Sequence, residues 1–327
     1  MDRSLFHVTS WFATIGTALL LTVSPTIAQT YPNKPIRVVL PFPPGGGTDS
    51  LGRVILPKMG EALDQSFVID NRPGAGGTLA AEIVARSAPD GYTLFMGSST
   101  GVTAAPSLYK LRYDPIKDFA PITQFATASF ILVVHPSVRA TSVSELIALA
   151  KGKPSSLRYA SGGIGSPLHL AAELFKSRGG VDIVHVPYKG GVAAARAVLA
   201  GEAHMIFGSV AASLAQVKAG RLRPLAVTGL KRISLMPELP TMAESGFPGF
   251  NVQAWNSLEA PADTPRNIIR RLHDETIKVL RMPDVVKLMS KIGYAPTGTT
   301  PEQYAEIKRT ETAMWAKVIK DAHIRAE

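Results

Sequence analysis

Gly97-Ser-Ser-Thr-Gly101 has the G-x-S-x-G spacing of a nucleophile elbow, and it follows the strand-like run Tyr92-Thr-Leu-Phe-Met96. In that chemistry Ser99 attacks an acyl carbon, and a downstream acid and histidine, His273 or His323, manage its proton. An elbow needs a helix at once, yet Pro106 interrupts the following segment, and no downstream Asp…His pair is marked out by its neighbours. His169 and Glu173 stand at i and i+4, a spacing that lets two side chains share a metal ion. Neither a cysteine nor a second clustered histidine accompanies them, so a surface pair or a loop-facing histidine is the plainer reading. Ser107-Leu-Tyr-Lys110 fits S-x-x-K without its companion motifs. Gly74-Ala-Gly-Gly77 lacks the full G-x-G-x-x-G of a dinucleotide site, and there is no G-x-x-x-x-G-K-[ST] phosphate loop. No cofactor is expected.

The chemistry that fits better is the binding of an anion by backbone. Phe42-Pro-Pro-Gly-Gly-Gly-Thr-Asp-Ser50 lies between a strand-like run, 36–40, and a helix-like run, 51–63. A glycine turn before a helix brings free N–H groups and the positive end of the helix dipole to one point. Gly46 and Gly47 allow close approach, and Thr48 or Asp49 is expected to cap the helix. Asp49 can also reach a ligand hydroxyl or amine. Other polar loops join the set: Ser98, Ser99 and Thr100; Ser161, Gly165 and Ser166; and Tyr188 to Gly191 with Lys189 and Gly190 between. Hydroxyls and N–H groups can hold a carboxylate without a dedicated arginine. Phe42, Tyr188 and Trp255 are expected to wall the rest of the ligand.

These loops need strands to deliver them. Runs at 67–69 and 92–96 follow the first strand, and each ends in a small polar or glycine loop. The pattern restarts at 157–160 and 182–186, with further strands at 205–207 and 225–228. Strands alternating with helical runs predict an α/β fold with mostly parallel sheets flanked by helices. Ligands of such sheets bind beyond the carboxyl ends of the strands. Gly45 and Gly74 are 29 positions apart, and Gly162 and Gly190 are 28 apart, each suiting one loop–helix–strand unit. Ser142 with Glu145, and Thr300 with Gln303, are capping boxes. Tyr304, Ile307, Trp315 and Val318 share one face of a C-terminal helix, which is expected to dock on the first domain.

A chain of 327 residues, 46% hydrophobic and 18% charged, can bury a core in about two domains. The net charge of +10 is dispersed rather than gathered in arms, so no nucleic-acid partner is expected. The absence of cysteine excludes disulfides, thiolate metal sites and cysteine nucleophiles. Residues 1–28 read as a signal peptide: Arg3, a short apolar stretch from Trp11 to Val23, and a small-residue site with cleavage after Ala28. The mature protein is expected to be exported.

Several segments together resemble the Bug family, the solute-binding components of tripartite tricarboxylate transporters. They include Pro41-Phe-Pro-Pro-Gly-Gly-Gly-Thr-Asp49, Asn71-Arg-Pro-Gly-Ala-Gly-Gly77 and Ala88-Pro-Asp-Gly-Tyr92. His185-Val-Pro-Tyr-Lys-Gly-Gly191 and Leu225-Ala-Val-Thr228 follow in the family's order, and the match covers almost the whole mature chain. The resemblance implies a two-lobed periplasmic binding protein of the type II-like Venus flytrap class. Lobe 1 would be 29–129 with 252–327, and lobe 2 would be 130–251. It implies no enzyme activity, a small di-, tri- or aromatic carboxylate ligand, and a permease of the tripartite type or a sensor kinase as partner. A monomer is expected. The ligand loops would map to Phe42 through Asp49, Ser161 through His169, and Tyr188 through Gly191. Where many relatives carry an acid after the 205–207 strand this chain has Gly208-Ser209, and Pro167-Leu168 precedes His169. Both departures are expected to suit a bulkier or more apolar ligand.

Overall fold

The computed structural model describes residues 31–325; the expected leader and its cleavage site lie outside the described residues. β1 (Ile36–Leu40) buries Ile36, Val38, Val39 and Leu40, the near-continuous apolar pattern of a strand covered on both faces. α1 (Gly47–Leu63) carries the chain to β2 (Phe67–Asn71), and α2 (Thr78–Ala85) carries it to β3 (Thr93–Ser98). Both strands lie parallel to β1, with Arg37 opposite Val68 on one side and Thr93 on the other. A π-helical turn, Thr100–Ala104, and the short α3 (Ala105–Leu108) then lead to β4 (Phe119–Val134).

β4 is one strand of 16 residues, although strand character in the sequence is strongest over 130–134. Its first half is held by a partner from far along the chain, β9, and its second half pairs with other strands. The second group of elements is α4 (Val143–Gly152), β5 (Arg158–Ser161), α5 (Pro167–Gly179), β6 (Val184–Pro187), α6 (Gly191–Leu199), β7 (Met205–Ser209), α7 (Val210–Lys218) and β8 (Arg223–Val227). The chain returns through β9 (Gln253–Pro261), α8 (Arg266–Leu280), α9 (Pro283–Lys291), β10 (Ala295–Pro296) and α10 (Pro301–Asp321). Among the described residues the strands run β2-β1-β3-β9-β4-β7-β5-β6, with β8 and β10 also paired to β4.

The register aims every glycine loop at one place. β3 is antiparallel to β9, with Ser98 opposite Asn256. β7 is antiparallel to β4, with Ser209 opposite Phe130. β4 and β9 pair with each other at Ala128–Ala254 and Ser129–Gln253. The parallel strands on each side therefore run toward the segment where the two shared strands pass between the groups. Their carboxyl ends, and the loops beyond them, converge there.

The sequence expects α10 to dock on the first group, and only its first half does so. Tyr304 packs with Val39, Phe95 and Trp255, while Trp315, Val318 and Ile319 join the core of Phe175, Leu170 and Tyr159 in the second group. The helix is long enough to touch both cores. The Thr300 capping box forms as expected. The Ser142 box forms by half: Ser142 Oγ accepts from the Glu145 N–H at 3.2 Å, but the Glu145 carboxylate takes the Thr141 N–H at 2.7 Å instead.

α10 is fixed to β9 by a buried polar knot. The Lys308 ammonium donates to the Glu259 carboxylate, and both side chains are almost fully buried. The Tyr304 hydroxyl lies 2.6 Å from Glu259 Oε1 and 2.7 Å from Ser257 Oγ. Removing one member of a buried ion pair strands the other charge. Lys308→Met is expected to lower unfolding free energy by about 3–5 kcal/mol in urea titration. Adding Glu259→Gln should recover part of that loss; a single variant as stable as the parent would show that the pair carries no such constraint.

Candidate functional site

The opening loop is built to leave its helix uncapped. α1 begins at Gly47, and its N-cap, Gly46, offers no side chain. Neither Thr48 nor Asp49 caps the helix, contrary to the sequence expectation, because the helix starts before them. The first-turn N–H groups therefore lack a side-chain acceptor and remain available to an anion. Asp49 is buried and reaches back instead, accepting from the Gly45 N–H at 2.9 Å, from Arg53 at 2.8 Å and from Asn71 Nδ2 at 3.2 Å. The Arg53 hydrogen bond leads the effects that hold its carboxyl below the ordinary range. Asp49 thus shapes the loop, its oxygens accepting from Gly45, Arg53 and Asn71. Asn71 also donates to the Phe42 carbonyl at 2.9 Å. Thr48 Oγ1 accepts from Asn256 Nδ2 at 3.1 Å, which leaves its proton free to donate.

At the end of β3, Ser98 and Ser99 are buried, and Ser98 Oγ has no hydrogen-bond partner among the described residues. Ser99 has φ −46° and ψ −56°, ordinary helical values rather than the strained turn of a nucleophile elbow. Among the described residues no histidine or carboxylate hydrogen-bonds it. Thr100 opens the π-helical turn. This loop packs against the others of the first group: a Cβ on Gly101 would lie 3.1 Å from the Gly76 carbonyl, and one on Gly77 would lie 2.9 Å from Pro41.

The loops of the second group are tied to each other. The Tyr188 N–H donates to the Ser161 carbonyl at 3.0 Å, and the Gly190 N–H to the Gly162 carbonyl at 3.3 Å. α6 starts with Gly190 as N-cap and no side-chain cap, a second uncapped terminus. Lys189 and Gly191 are exposed beside it. Ser166 does cap α5, accepting from the His169 N–H at 3.3 Å. Gly165 has φ +72°, and a Cβ there would lie 2.7 Å from Leu108 of α3, so this glycine meets the first group at close range.

Beneath these loops Tyr159, His185 and His169 form a stack, the two imidazoles 4.0 Å apart. His185 Nε2 lies 2.6 Å from Ser161 Oγ. His169 Nδ1 accepts from the Gly165 N–H at 3.0 Å, which puts the ring proton on Nε2. Burial holds His169 down to about 3, helped by the charge fields of His185 and Lys176. Glu173 accepts from the Tyr159 hydroxyl at 2.5 Å and from Lys176 at 2.8 Å. His169 and Glu173 are thereby spent on separate partners, and no group of three metal-ligating side chains occurs among the described residues.

Three residues depart from their expected roles. Trp255 is core: it packs edge-on against Tyr304 and donates from Nε1 to Glu311 at 2.8 Å. The Tyr188 hydroxyl points to Glu202 at 3.4 Å, past the far end of α6 from the Gly190 loop. Gly208 belongs to β7, and a Cβ there would lie 2.9 Å from Ser213 Oγ, so its smallness seats α7 on the strand. Sequence reasoning missed Asn71, Asn256 and Tyr294. A Cβ on Gly47 would lie 2.9 Å from the Tyr294 hydroxyl, so that phenol stands at the first turn of α1. Only the Asn71 motif offered a signal, since Asn256 and Tyr294 are brought in by tertiary folding.

Glu311 of α10 links the core to the Ser98–Gly101 loop. Burial pushes its carboxyl up to about 7, against the lowering effect of its hydrogen bonding with Trp255 and Thr103. When protonated it can donate to Thr103 Oγ1, whose own proton goes to the Ser99 carbonyl 2.7 Å away. An acid raised in the folded state binds protons on folding. Stability should therefore fall as pH rises from the ordinary value of 4.5 to about 7, by about 2–3 kcal/mol. His169 acts oppositely, its share being lost as pH falls from 6.5 toward 3. Urea unfolding of Glu311→Gln at pH 5 and pH 7.5 isolates the first effect. The variant is expected to lose the decline toward pH 7.5 that the parent shows, and equal pH slopes would contradict the assignment.

The sequence profile of the tripartite tricarboxylate transporter family receptor, TctC, matches residues 51–324. Protein BugT of Bordetella pertussis is 34% identical over 326 residues, 98% of each chain. The solved structure of R. palustris Rpa4515 with adipate is 38% identical, with a TM-score of 0.76, covering 90% of this chain and 100% of that one. MatC from Rhodopseudomonas palustris with bound malate is 31% identical, with a TM-score of 0.73, covering 88% and 100%.

Proposed function

The chain belongs to the tripartite tricarboxylate transporter receptor family, and we propose that it captures a small organic carboxylate in the cleft where its loops converge. The observation that carries the reading is the uncapped first turn of α1 behind Gly45, Gly46 and Gly47. Uncapped N–H groups at a helix start favour a carboxylate without a counter-charged side chain. The Thr48 hydroxyl adds a neutral donor at the same helix start, and Ser98 Oγ, buried and without a partner, lies in the loop after β3. From the other side come the uncapped start of α6 and the Ser161–Ser166 loop. The relatives solved with adipate and with malate support this ligand class. A receptor of this family delivers solute and performs no reaction on it.

The lobes divide at the shared strands, 29–129 with 252–327 against 130–251, and ligand selects the closed arrangement. The protein works in the periplasm as a monomer after removal of residues 1–28. It hands its ligand to a membrane permease of the tripartite type or reports it to a sensor kinase. Thr48→Pro removes one first-turn N–H and the Thr48 hydroxyl together, at a position where a helix tolerates proline. Calorimetry with adipate and with malate is expected to show at least about tenfold weaker binding in the variant, the loss of one or both of these donors. Unchanged affinity would remove the α1 terminus from the site.

A further inference from the structure

Glu311 belongs to α10 and to none of the glycine loops, yet both of its hydrogen bonds lead to them. Its carboxyl accepts from Trp255 Nε1 at 2.8 Å, and Trp255 precedes Asn256 on β9. Asn256 Nδ2 donates to Thr48 Oγ1 at the start of α1 and to the Gly97 carbonyl near the end of β3, each at 3.1 Å. The other partner of the carboxyl is Thr103 of the π-helical turn, whose hydroxyl donates to the Ser99 carbonyl at 2.7 Å. One acid thus touches two supports of the α1 start: the strand that carries Asn256 and the turn that fixes the end of β3. From this geometry we infer that Glu311 is a positioning residue for solute binding, and that the proton it carries keeps the Ser99 loop and the start of α1 in their binding arrangement. The inference rests on the carboxylate reading above and adds proton-linked control to it.

A single proton decides the arrangement. Thr103 has one hydroxyl proton and faces two acceptors, the Ser99 carbonyl and Glu311. When Glu311 is protonated it donates to Thr103 Oγ1, and the Thr103 proton is left for Ser99. When Glu311 is ionised it can only accept, and a charged acceptor outcompetes a carbonyl. The Ser99 carbonyl, in a buried residue, then loses the Thr103 bond. Among the described residues no ionisable side chain bonds to the Glu311 carboxyl. The π-helical turn, α3 and β4 pack against α10 and carry no ionisable residue. On α5, which also packs there, Glu173 holds Tyr159 and Lys176, His169 takes the Gly165 N–H, and Arg178 reaches the Pro248 carbonyl. Glu259 of β9 is taken by Lys308 and Tyr304 of α10 itself. The Glu311 charge acts on Tyr304, which burial keeps a neutral phenol. Burial holds Glu311 up at about 7, so the proton leaves as pH rises through neutrality, and affinity falls with it. By the same linkage, solute binding draws a proton in.

The test is calorimetry of the full mature chain with adipate and with malate at pH 6.5 and pH 8.5, where the ligand carboxylates stay ionised. The parent is expected to bind about fivefold or more weakly at pH 8.5. Near pH 7 its binding heat should depend on the ionisation enthalpy of the buffer, the sign of proton uptake. Glu311→Gln keeps an acceptor for Trp255 and a donor for Thr103 at every pH. It is expected to bind at pH 8.5 as the parent does at pH 6.5, and to lose the buffer dependence. Thr103→Val cuts the link and leaves the acid in place; it should bind weakly, and equally at both pH values. A parent whose affinity does not change with pH, or a pH dependence that survives in either variant, would overturn the role of Glu311 while leaving the carboxylate site standing. Failure of both acids to bind the parent at either pH would overturn the carboxylate reading itself, and this inference with it.

Discussion

The pairing of β4 with β9 is the constraint on which the rest depends. β4 reaches from the first strand group into the second, and β9 returns the chain to the first group. Because each parallel set is joined to this ladder through an antiparallel neighbour, both sets must run toward its middle. No loop sequence has to find the site by itself. The ladder also explains why the region near Ser129 and Gln253 is crowded: a Cβ on Gly229 would lie 2.5 Å from Ser129 Oγ. A third tie, α10, packs Tyr304 into one core and Trp315 into the other.

Around that frame the polar groups divide into those that shape loops and those left open. Asp49, Asn71, Ser161, His185 and Glu173 are engaged with the protein. Their work is to hold neighbouring backbone still, which lowers the ordering cost when a ligand arrives. The groups without a side-chain partner are mostly neutral: first-turn N–H groups, the Thr48 hydroxyl proton and Ser98 Oγ, the last buried. Arg53 lies near the loop, but its guanidinium is occupied by Asp49.

The strand–glycine–helix units were legible in the sequence because local signals made them so. The apolar run at 36–40, the glycines at 45–47 and the capping pair at Thr300 and Gln303 each carry their meaning within a few residues. The start of α1 was misjudged for a related reason: an uncapped helix has no capping residue to announce it. Trp255 and Tyr188 read as ligand contacts in the sequence because large aromatic side chains suit pocket walls. Their partners, Glu311 and Glu202, are fixed by packing that no local pattern encodes. Tyr294 was invisible for the same reason, since its neighbour Gly47 lies near the other end of the chain.

A site made from neutral donors has consequences for a delivery protein. A buried guanidinium would hold a carboxylate with stronger, charge-assisted bonds, but its own desolvation would have to be offset in the empty state. Backbone N–H groups at a helix start carry only partial charge and need no counter-ion when the site is empty. In the proposed site their grip would depend on closure, because donors from both sides would have to meet the same ligand. Opening the lobes would then remove the contacts of one side at once and release the solute. Specificity in such a design cannot rest on the carboxylate, which every candidate acid shares. It has to come from what the body of the ligand meets.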